Sequence, residues 1–275
     1  MRNTVGRVIQ TLPEAEPVWG VTSLDNHLYV FRGKRSEEIK VYDIDDSYRL
    51  QRCLSVPGRG AVQDMVACGH NRCIYVSDKS HIHRVAVAGD VITKWPVNDE
   101  STNFLSLTVT HNVLVTCCEV RKIKEFTTDG ESIREIVLPQ DVYSPLHTVQ
   151  LSSGELIVCH GKGDDPLHRV CLVGSDGQVV KSYGGPPGAG SQQMRVPVHM
   201  AVDGNDFIFV ADQNNLTVFL LSPTLTYVRE VVSREQLKGK PVRMSLDVHR
   251  RRLYVADIEW KGGKYTAGRV TVVNV

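Results

Sequence analysis

A short apolar segment recurs six times along this chain, and this repeat most constrains the fold. Each copy ends on a valine, and the valines are 46, 39, 43, 52 and 45 residues apart. The copies are Leu28-Tyr29-Val30, Ile74-Tyr75-Val76, Leu114-Val115, Leu156-Ile157-Val158, Ile208-Phe209-Val210 and Leu253-Tyr254-Val255. A period of roughly 40–45 residues is typical of propeller blades, which bury their faces only against neighbouring copies.

Each copy belongs to a set of short β-prone segments separated by turn residues. An apolar inner strand precedes the copy, and polar turns lead on to a third strand and, in most units, a fourth. Asp129-Gly130 and Asp176-Gly177 are such turns. No apolar period of 3.6 residues is sustained, so we expect little helix. The pattern predicts an all-β fold, a six-bladed β-propeller of four-stranded blades.

The uninterrupted repeat also predicts a single domain over residues 1–275. The sixth unit has only three strands, whereas residues 4–11 form a strand without a unit of its own. We therefore expect this N-terminal strand to complete the last blade and close the propeller. The predicted blades cover approximately residues 17–56, 61–98, 103–140, 144–184, 196–232 and 241–275.

The segment from Pro197 to Phe219 resembles an NHL repeat. It reads Pro-Val-His-Met-Ala-Val-Asp, Phe-Val-Ala-Asp-Gln-Asn-Asn and Thr-Val-Phe. The family pattern is Pro-x-Gly-Ile-Ala-Val-Asp, Tyr-Val-Ala-Asp and Asn-x-Arg-Ile-x-Val-Phe. The resemblance implies similarity to the C-terminal propeller of tripartite-motif (TRIM-NHL) proteins, which recognises RNA hairpins or partner proteins. It implies a non-catalytic recognition module, with any ubiquitin-ligase activity outside these residues.

The glycine of the NHL pattern is expected to be replaced in every unit. The residues predicted at that position, near the mouth of the central channel, are Trp19, Asp64, Leu105, His147, His199 and Arg243. Two imidazoles, a carboxylate and a guanidinium there resemble the channel-facing sites of metal-dependent propeller lyases and lactonases, which gives an alternative function. The metal-binding histidine of those lyases directly follows the proline, whereas His199 comes one residue later and should point differently. We therefore predict no catalytic residue, metal or other cofactor.

The longer loops are expected on one face, called the top face, where each inner strand begins. Basic residues with interleaved aromatics there suit structured RNA. Acidic residues are nearly as common, and the net charge of +1 favours a protein segment as the partner. A solvated rim or scaffold without a ligand is the third possibility. The predicted ligand-binding residues are Trp19, Asp64, His147, His199, Arg243, Arg195, Tyr143, Arg121 and Trp260.

The remaining composition bears on where the protein works. The seven cysteines are scattered, and we interpret them as small apolar side chains in a reducing compartment. The N-terminus has no signal-peptide apolar core, and no apolar run approaches the ~18 residues of a membrane span. These features predict a monomeric cytoplasmic propeller without membrane contact.

Overall fold

The structure is a computed structural model that describes residues 6–32, 38–55, 62–88, 90–97, 105–190 and 192–275. In these residues every regular element is a β-strand, and the strands form six antiparallel sheets of four. None of the described segments is a helix that could cross a membrane. The predicted all-β, six-bladed propeller is confirmed.

Blades one to three follow the chain from the inner to the outer strand. Blade one contains β2 (Val18–Leu24), β3 (His27–Arg32), β4 (Glu38–Asp43) and β5 (Arg49–Ser55). Blade two contains β6 (Asp64–Cys68), β7 (Cys73–Ser77), β8 (His81–Ala86) and β9 (Val91–Pro96). Blade three contains β10 (Leu105–Val109), β11 (Val113–Cys117), β12 (Lys122–Phe126) and β13 (Ser132–Val137).

Blades four and five repeat this order, and blade six uses strands from both ends of the chain. Blade four contains β14 (Pro145–Gln150), β15 (Leu156–His160), β16 (His168–Val173) and β17 (Val179–Gly185). Blade five contains β18 (Pro197–Val202), β19 (Ile208–Asp212), β20 (Thr217–Leu221) and β21 (Tyr227–Val232). Blade six contains β22 (Lys240–Asp247), β23 (Arg252–Lys261), β24 (Lys264–Asn274) and β1 (Arg7–Glu14).

The closure of blade six is the predicted one. Strand β1 pairs antiparallel with β24, so that Arg7 lies opposite Asn274. Residues 4 and 5 of the predicted strand lie outside the described residues. The backbone N–H of Gly6 also donates to the carbonyl of Val231 in blade five, at 2.7 Å. The N-terminal segment therefore joins two blades.

The core lies between the blades, which is why the recurring apolar segment is conspicuous in the sequence. Each copy forms the second strand of its blade, and Tyr29, Tyr75 and Tyr254 from these strands are among the largest fully buried side chains. Inner strands of successive blades contact one another around the channel, and β22 contacts β2. All seven cysteines are free thiols, and all but Cys53 are buried.

Candidate functional site

One residue of each inner strand occupies the same position relative to the second strand. His147 pairs with Cys159, His199 with Ala211 and Arg243 with Ala256. In blades one to three the corresponding pairs are Gly20 with Phe31, Asp64 with Ser77 and Ser106 with Thr116. We call these six residues the channel ring, and they are Gly20, Asp64, Ser106, His147, His199 and Arg243.

The channel ring differs from the sequence expectation in two blades. In β2, Val18 lies opposite Arg32 and Gly20 opposite Phe31, which leaves Trp19 as the extra residue of a β-bulge. Strands β14, β18 and β22 have the same register shift. In those strands a proline directly precedes the bulge residue, whereas in β2 Val18 stands between Pro17 and the bulge. Counting from Pro17 therefore misplaces the ring by one residue. Blade one retains the small glycine, and in blade three Ser106 rather than Leu105 lies at this position.

A carboxylate and a guanidinium meet across the channel ring. Arg243 Nε donates to Asp64 Oδ1 at 2.9 Å, although the two residues belong to blades six and two. The intervening ring position is Gly20, which has no side chain to separate them. Asp64 is 1% and Arg243 4% exposed, so this ion pair is buried. The other two guanidinium nitrogens donate to the carbonyls of Val242 and Gln63 at 2.8 and 2.7 Å.

The Asp64 carboxylate accepts further hydrogen bonds from blade three and from the backbone of its own strand. Ser106 Oγ and the Leu107 N–H donate to Asp64 Oδ2 at 2.6 and 2.9 Å. The Met65 N–H donates to Oδ1 at 2.9 Å. A buried carboxylate with this many donors is satisfied within the protein.

The two histidines stack on each other beside this ion pair. Their ring centroids are 3.8 Å apart with an interplanar angle of 29°. His147 Nδ1 accepts from the Met200 N–H at 3.4 Å, and His199 Nδ1 accepts from the Met244 N–H at 3.3 Å. Burial lowers the pKa of His147 to about 4, and burial followed by its cationic surroundings lowers the pKa of His199 well below the usual value. Both imidazoles are therefore neutral at pH 7, with the proton on Nε2.

This protonation does not fit a metal centre. Asp64, His147 and His199 each offer an atom within 4.8 Å of the others. A metal-binding imidazole normally donates its second ring N–H to an acceptor. Here Nδ1 of each histidine faces a backbone N–H donor, so Nε2 carries the proton and has no lone pair for a metal. The guanidinium of Arg243 adds a positive charge beside the carboxylate.

The ring closes one end of a small channel that continues between the inner strands. This channel has a volume of about 280 Å³ and is lined by His147, His199 and residues that follow the ring in each strand. Hydroxyl groups on the wall are bonded to the next blade, since Thr22 Oγ1 accepts from the Ala67 N–H and Thr108 Oγ1 donates to the Thr148 carbonyl. The channel interior therefore fastens blades together.

The other predicted site residues lie on the top face, in three separate places. Arg121 and Tyr143 border a cavity of about 230 Å³ together with Cys118 and Lys162. Lys162 Nζ lies 3.5 Å from Cys118 Sγ, a contact that sequence reasoning missed because blades three and four supply it jointly. Burial raises the pKa of the Cys118 thiol, and Lys162 opposes that shift.

Trp19 of β2 lies beside a projecting hairpin that carries Trp260 and Tyr265. The segment from Ala256 to Ala267 continues β23 and β24 beyond the blade to a turn at Gly262 and Gly263. The positive φ angles of these glycines, 57° and 77°, suit a tight hairpin turn. Tyr265 contacts Trp260 and Trp19 edge-on, with centroids 4.5 and 5.1 Å apart. We call Trp19, Trp260 and Tyr265 the aromatic cluster.

Arg195 borders a third and larger cavity, which we call the interblade cleft. It lies between blades four and five, has a volume of about 750 Å³, and is lined by Tyr183, Phe219, Tyr227, Glu230 and Arg234 among others. Asp212 lies at its inner end, where burial raises the pKa of that carboxyl to about 6. No local sequence pattern indicates this cavity, because its walls come from four separate segments.

Comparison with known proteins supports the fold. No protein-family model and no curated protein sequence matches this chain. Solved structures match it widely, in 1103 chains, so the architecture alone does not select a function. The NHL resemblance therefore remains a prediction.

Three of these structures illustrate the range. An inactive histidine-to-alanine variant of virginiamycin B lyase from Staphylococcus aureus, with quinupristin, has a TM-score of 0.63 at 11% identity, over 92% of this chain and 80% of its own. Hydrazine synthase from Kuenenia stuttgartiensis has a TM-score of 0.62 at 13% identity, over 100% and 99% of the two chains. A Bacteroides caccae protein of unknown function has a TM-score of 0.62 at 12% identity, over 83% and 85%. At such identities the similarity establishes a six-bladed propeller and nothing finer.

Proposed function

We propose that this chain is a non-catalytic recognition module that binds a protein segment on its top face. The aromatic cluster carries this proposal. Trp260 is 49% and Tyr265 40% exposed, and both stand on a hairpin above the face. Exposed tryptophan and tyrosine side chains provide large contact areas at low entropic cost, as in the centres of protein interfaces.

The channel ring supports the non-catalytic part of this proposal. Its ionisable side chains are buried and hydrogen-bonded to one another or to backbone groups. A catalytic group has to reach a substrate, whereas Asp64 and Arg243 are directed at each other and at the backbone, and each histidine that lines the channel accepts a backbone N–H at Nδ1. Since lyases share the fold, the non-catalytic assignment depends on this chain's own residues rather than on its neighbours.

The electrostatics of the top face favour a protein segment over RNA. Several cations there already have carboxylate partners: Arg269 pairs with Asp257, Arg169 with Asp141 and Lys261 with Glu259, at 2.8 to 2.9 Å. Phosphate recognition needs cations that are available to the nucleic acid backbone. The NHL-like pattern at Pro197 to Phe219 fits a recognition role, including that of the substrate-binding part of a TRIM-type protein in the cytoplasm.

Parallel selections test this proposal. Purified wild-type chain is used to select from a library of displayed random peptides and from a randomised RNA pool. The same selections use Trp260→Ala/Tyr265→Ala and the control Ile92→Ala/Ile133→Ala, which removes two similarly exposed apolar side chains from outer strands. Circular dichroism verifies that all three proteins are folded.

We expect peptides that the wild type and the control enrich and the cluster variant does not. Enrichment of RNA alone, lost in the cluster variant, would replace protein by RNA as the partner. Peptides enriched equally by all three proteins, or no enrichment at all, would overturn the proposal.

A further inference from the structure

The interblade cleft has the dimensions of a ligand site. Its volume of about 750 Å³ exceeds that of the channel, about 280 Å³, and falls within the ~300–1,000 Å³ usual for binding pockets. Blade four contributes Tyr183 and blade five contributes Phe219, Tyr227 and Glu230. The connection before blade five adds Arg195, and the segment after β21 adds Arg234.

One wall of the cleft is aromatic. The centroid of Phe219 is 5.9 Å from that of Tyr183 and 6.1 Å from that of Tyr227. Tyr227 is exposed, whereas Phe219 is buried beneath it. The three side chains thus form a continuous apolar surface that is open to solvent at the Tyr227 end.

Two guanidinium groups border the same cleft without a hydrogen bond or salt bridge to a described residue. Arg195 and Arg234 are exposed, and neither side chain forms a hydrogen bond or salt bridge with any residue that the structure describes. Arg169 and Arg269, also on this face, each have a carboxylate at 2.8 Å. The difference leaves positive charge available at the cleft.

The carboxylates of the cleft are occupied by neighbouring donors. Asp212 accepts from the Arg195 backbone N–H at 2.9 and 3.1 Å and from Asn215 Nδ2 at 2.7 Å. Glu230 Oε2 shares the Thr217 hydroxyl donor, at 3.0 Å, with the Val232 carbonyl at 2.9 Å. These contacts hold the carboxylates against blade five, and burial of Asp212 raises its pKa to about 6.

The backbone beside Arg195 is strained and firmly held. Val196 has a φ of 71°, a left-handed conformation that is rare for a β-branched residue. Its N–H donates to His168 Nδ1 at 2.8 Å, and its carbonyl accepts from the Gln213 N–H at 2.9 Å. The Arg195 carbonyl accepts from the Asn214 N–H at 2.9 Å. Such strain is concentrated at binding and catalytic sites. Here the three hydrogen bonds fix the strained backbone that presents Arg195.

We infer that the interblade cleft binds a peptide motif in which an anionic group, a carboxylate or a phosphate, lies next to an aromatic side chain. Guanidinium groups bind such oxyanions in paired, charge-assisted hydrogen bonds. The aromatic wall would pack against the neighbouring side chain. This inference rests on the proposed function, because it names the chemistry of the protein segment and adds a contact site apart from the aromatic cluster.

Labelled heptapeptides test the inference by fluorescence anisotropy. The probe carries Glu-Phe-Glu between Gly-Ser and Ser-Gly ends, and companion probes replace the first Glu by phosphoserine, both Glu by Lys, or Phe by Ala. Each is titrated with the wild type, with Arg195→Glu/Arg234→Glu and with the control Lys94→Glu/Arg7→Glu. The control reverses two exposed charges on β9 and β1, so its net charge matches that of the cleft variant.

We expect the Glu-Phe-Glu or the phosphoserine probe to bind the wild type and the control, and to lose at least tenfold in affinity with the cleft variant. Which anion binds more tightly identifies the source of the negative charge. The Lys probe should not bind, and the Ala probe should bind more weakly. Equal affinity of the cleft variant and the control, or no binding of either acidic probe, would overturn the inference.

The two experiments distinguish a failure of this inference from a failure of the proposed function. Displayed peptides that depend on the aromatic cluster but carry no acidic group, and that bind the cleft variant normally, would leave the proposed function intact. An acidic probe that binds at the cleft while no displayed peptide depends on the cluster would contradict the hairpin as the primary site.

Discussion

The channel ring and the aromatic cluster both contain residue types associated with function, but they differ in exposure to solvent. Asp64, His147, His199 and Arg243 are buried and bonded to one another or to the backbone. Trp260 and Tyr265 are exposed on a hairpin whose removal would leave the six-bladed architecture complete. Polar residues at a repeated position can therefore be structural fasteners, while the surface available to a partner lies on an extension outside the repeat.

The largest expected effect comes from Asp64→Ala. The substitution leaves the Arg243 guanidinium buried without its carboxylate, which should lower the free energy of unfolding by about 3–5 kcal/mol. Asp46→Ala is the matched control, because the Asp46–Arg49 pair is exposed and should contribute about 1 kcal/mol or less. Urea denaturation measures both. A loss with Asp64→Ala no larger than that of the control would mean that the ring does not fasten the blades.

The second effect is on the pH dependence of stability. The pKa of His147 is about 4 in the folded protein and 6.5 when unfolded, so the unfolded state binds more protons between these values. Stability attributable to this residue is complete above pH 6.5 and is lost as the pH falls, by about 1.4 kcal/mol per pH unit and about 3 kcal/mol in total. His147→Asn should remove this slope, as measured by urea denaturation at pH 5 to 7.

Comparing the variant with the wild type is necessary because other groups act in the opposite sense. Burial raises the pKa of Asp212 and Asp257 to about 6, and their contribution falls as the pH rises through that range. These carboxyls are unchanged in His147→Asn, so the difference between the two curves reports on His147 and on the stacked His199, whose pKa depends on it. Parallel curves for the two proteins would contradict a neutral His147.

The smallest effect is expected in the aromatic cluster. Tyr265→Ala removes the edge-on contacts with Trp19 and Trp260 from an exposed site, and each such pair contributes about 0.5–1.5 kcal/mol. We expect the free energy of unfolding to fall by about 1–2 kcal/mol, and hydrogen exchange to rise in the hairpin but not around the channel ring. A loss as large as that of Asp64→Ala would remove the distinction between the two regions.

The sequence predicted the architecture better than the sites. Blade number and closure follow from the spacing of six buried segments and from a strand count that is complete only when β1 joins β24. The position of Trp19 could not be obtained by counting from Pro17, because a bulge shifts the register within β2. Tertiary contacts determine the tautomers of His147 and His199 and the walls of the interblade cleft. A local sequence pattern therefore does not predict either feature.

The pairing of β1 with β24 has a consequence for biosynthesis. In chain order, β1 is the first strand of the propeller to leave the ribosome and β24 is the last. The two strands pair with each other, with Arg7 opposite Asn274. The earliest strand must therefore remain unpaired while five blades and most of the sixth are translated. Contacts so distant along the chain make folding slow. During that interval β1 is an exposed strand edge that chaperones would have to protect from pairing with other nascent chains.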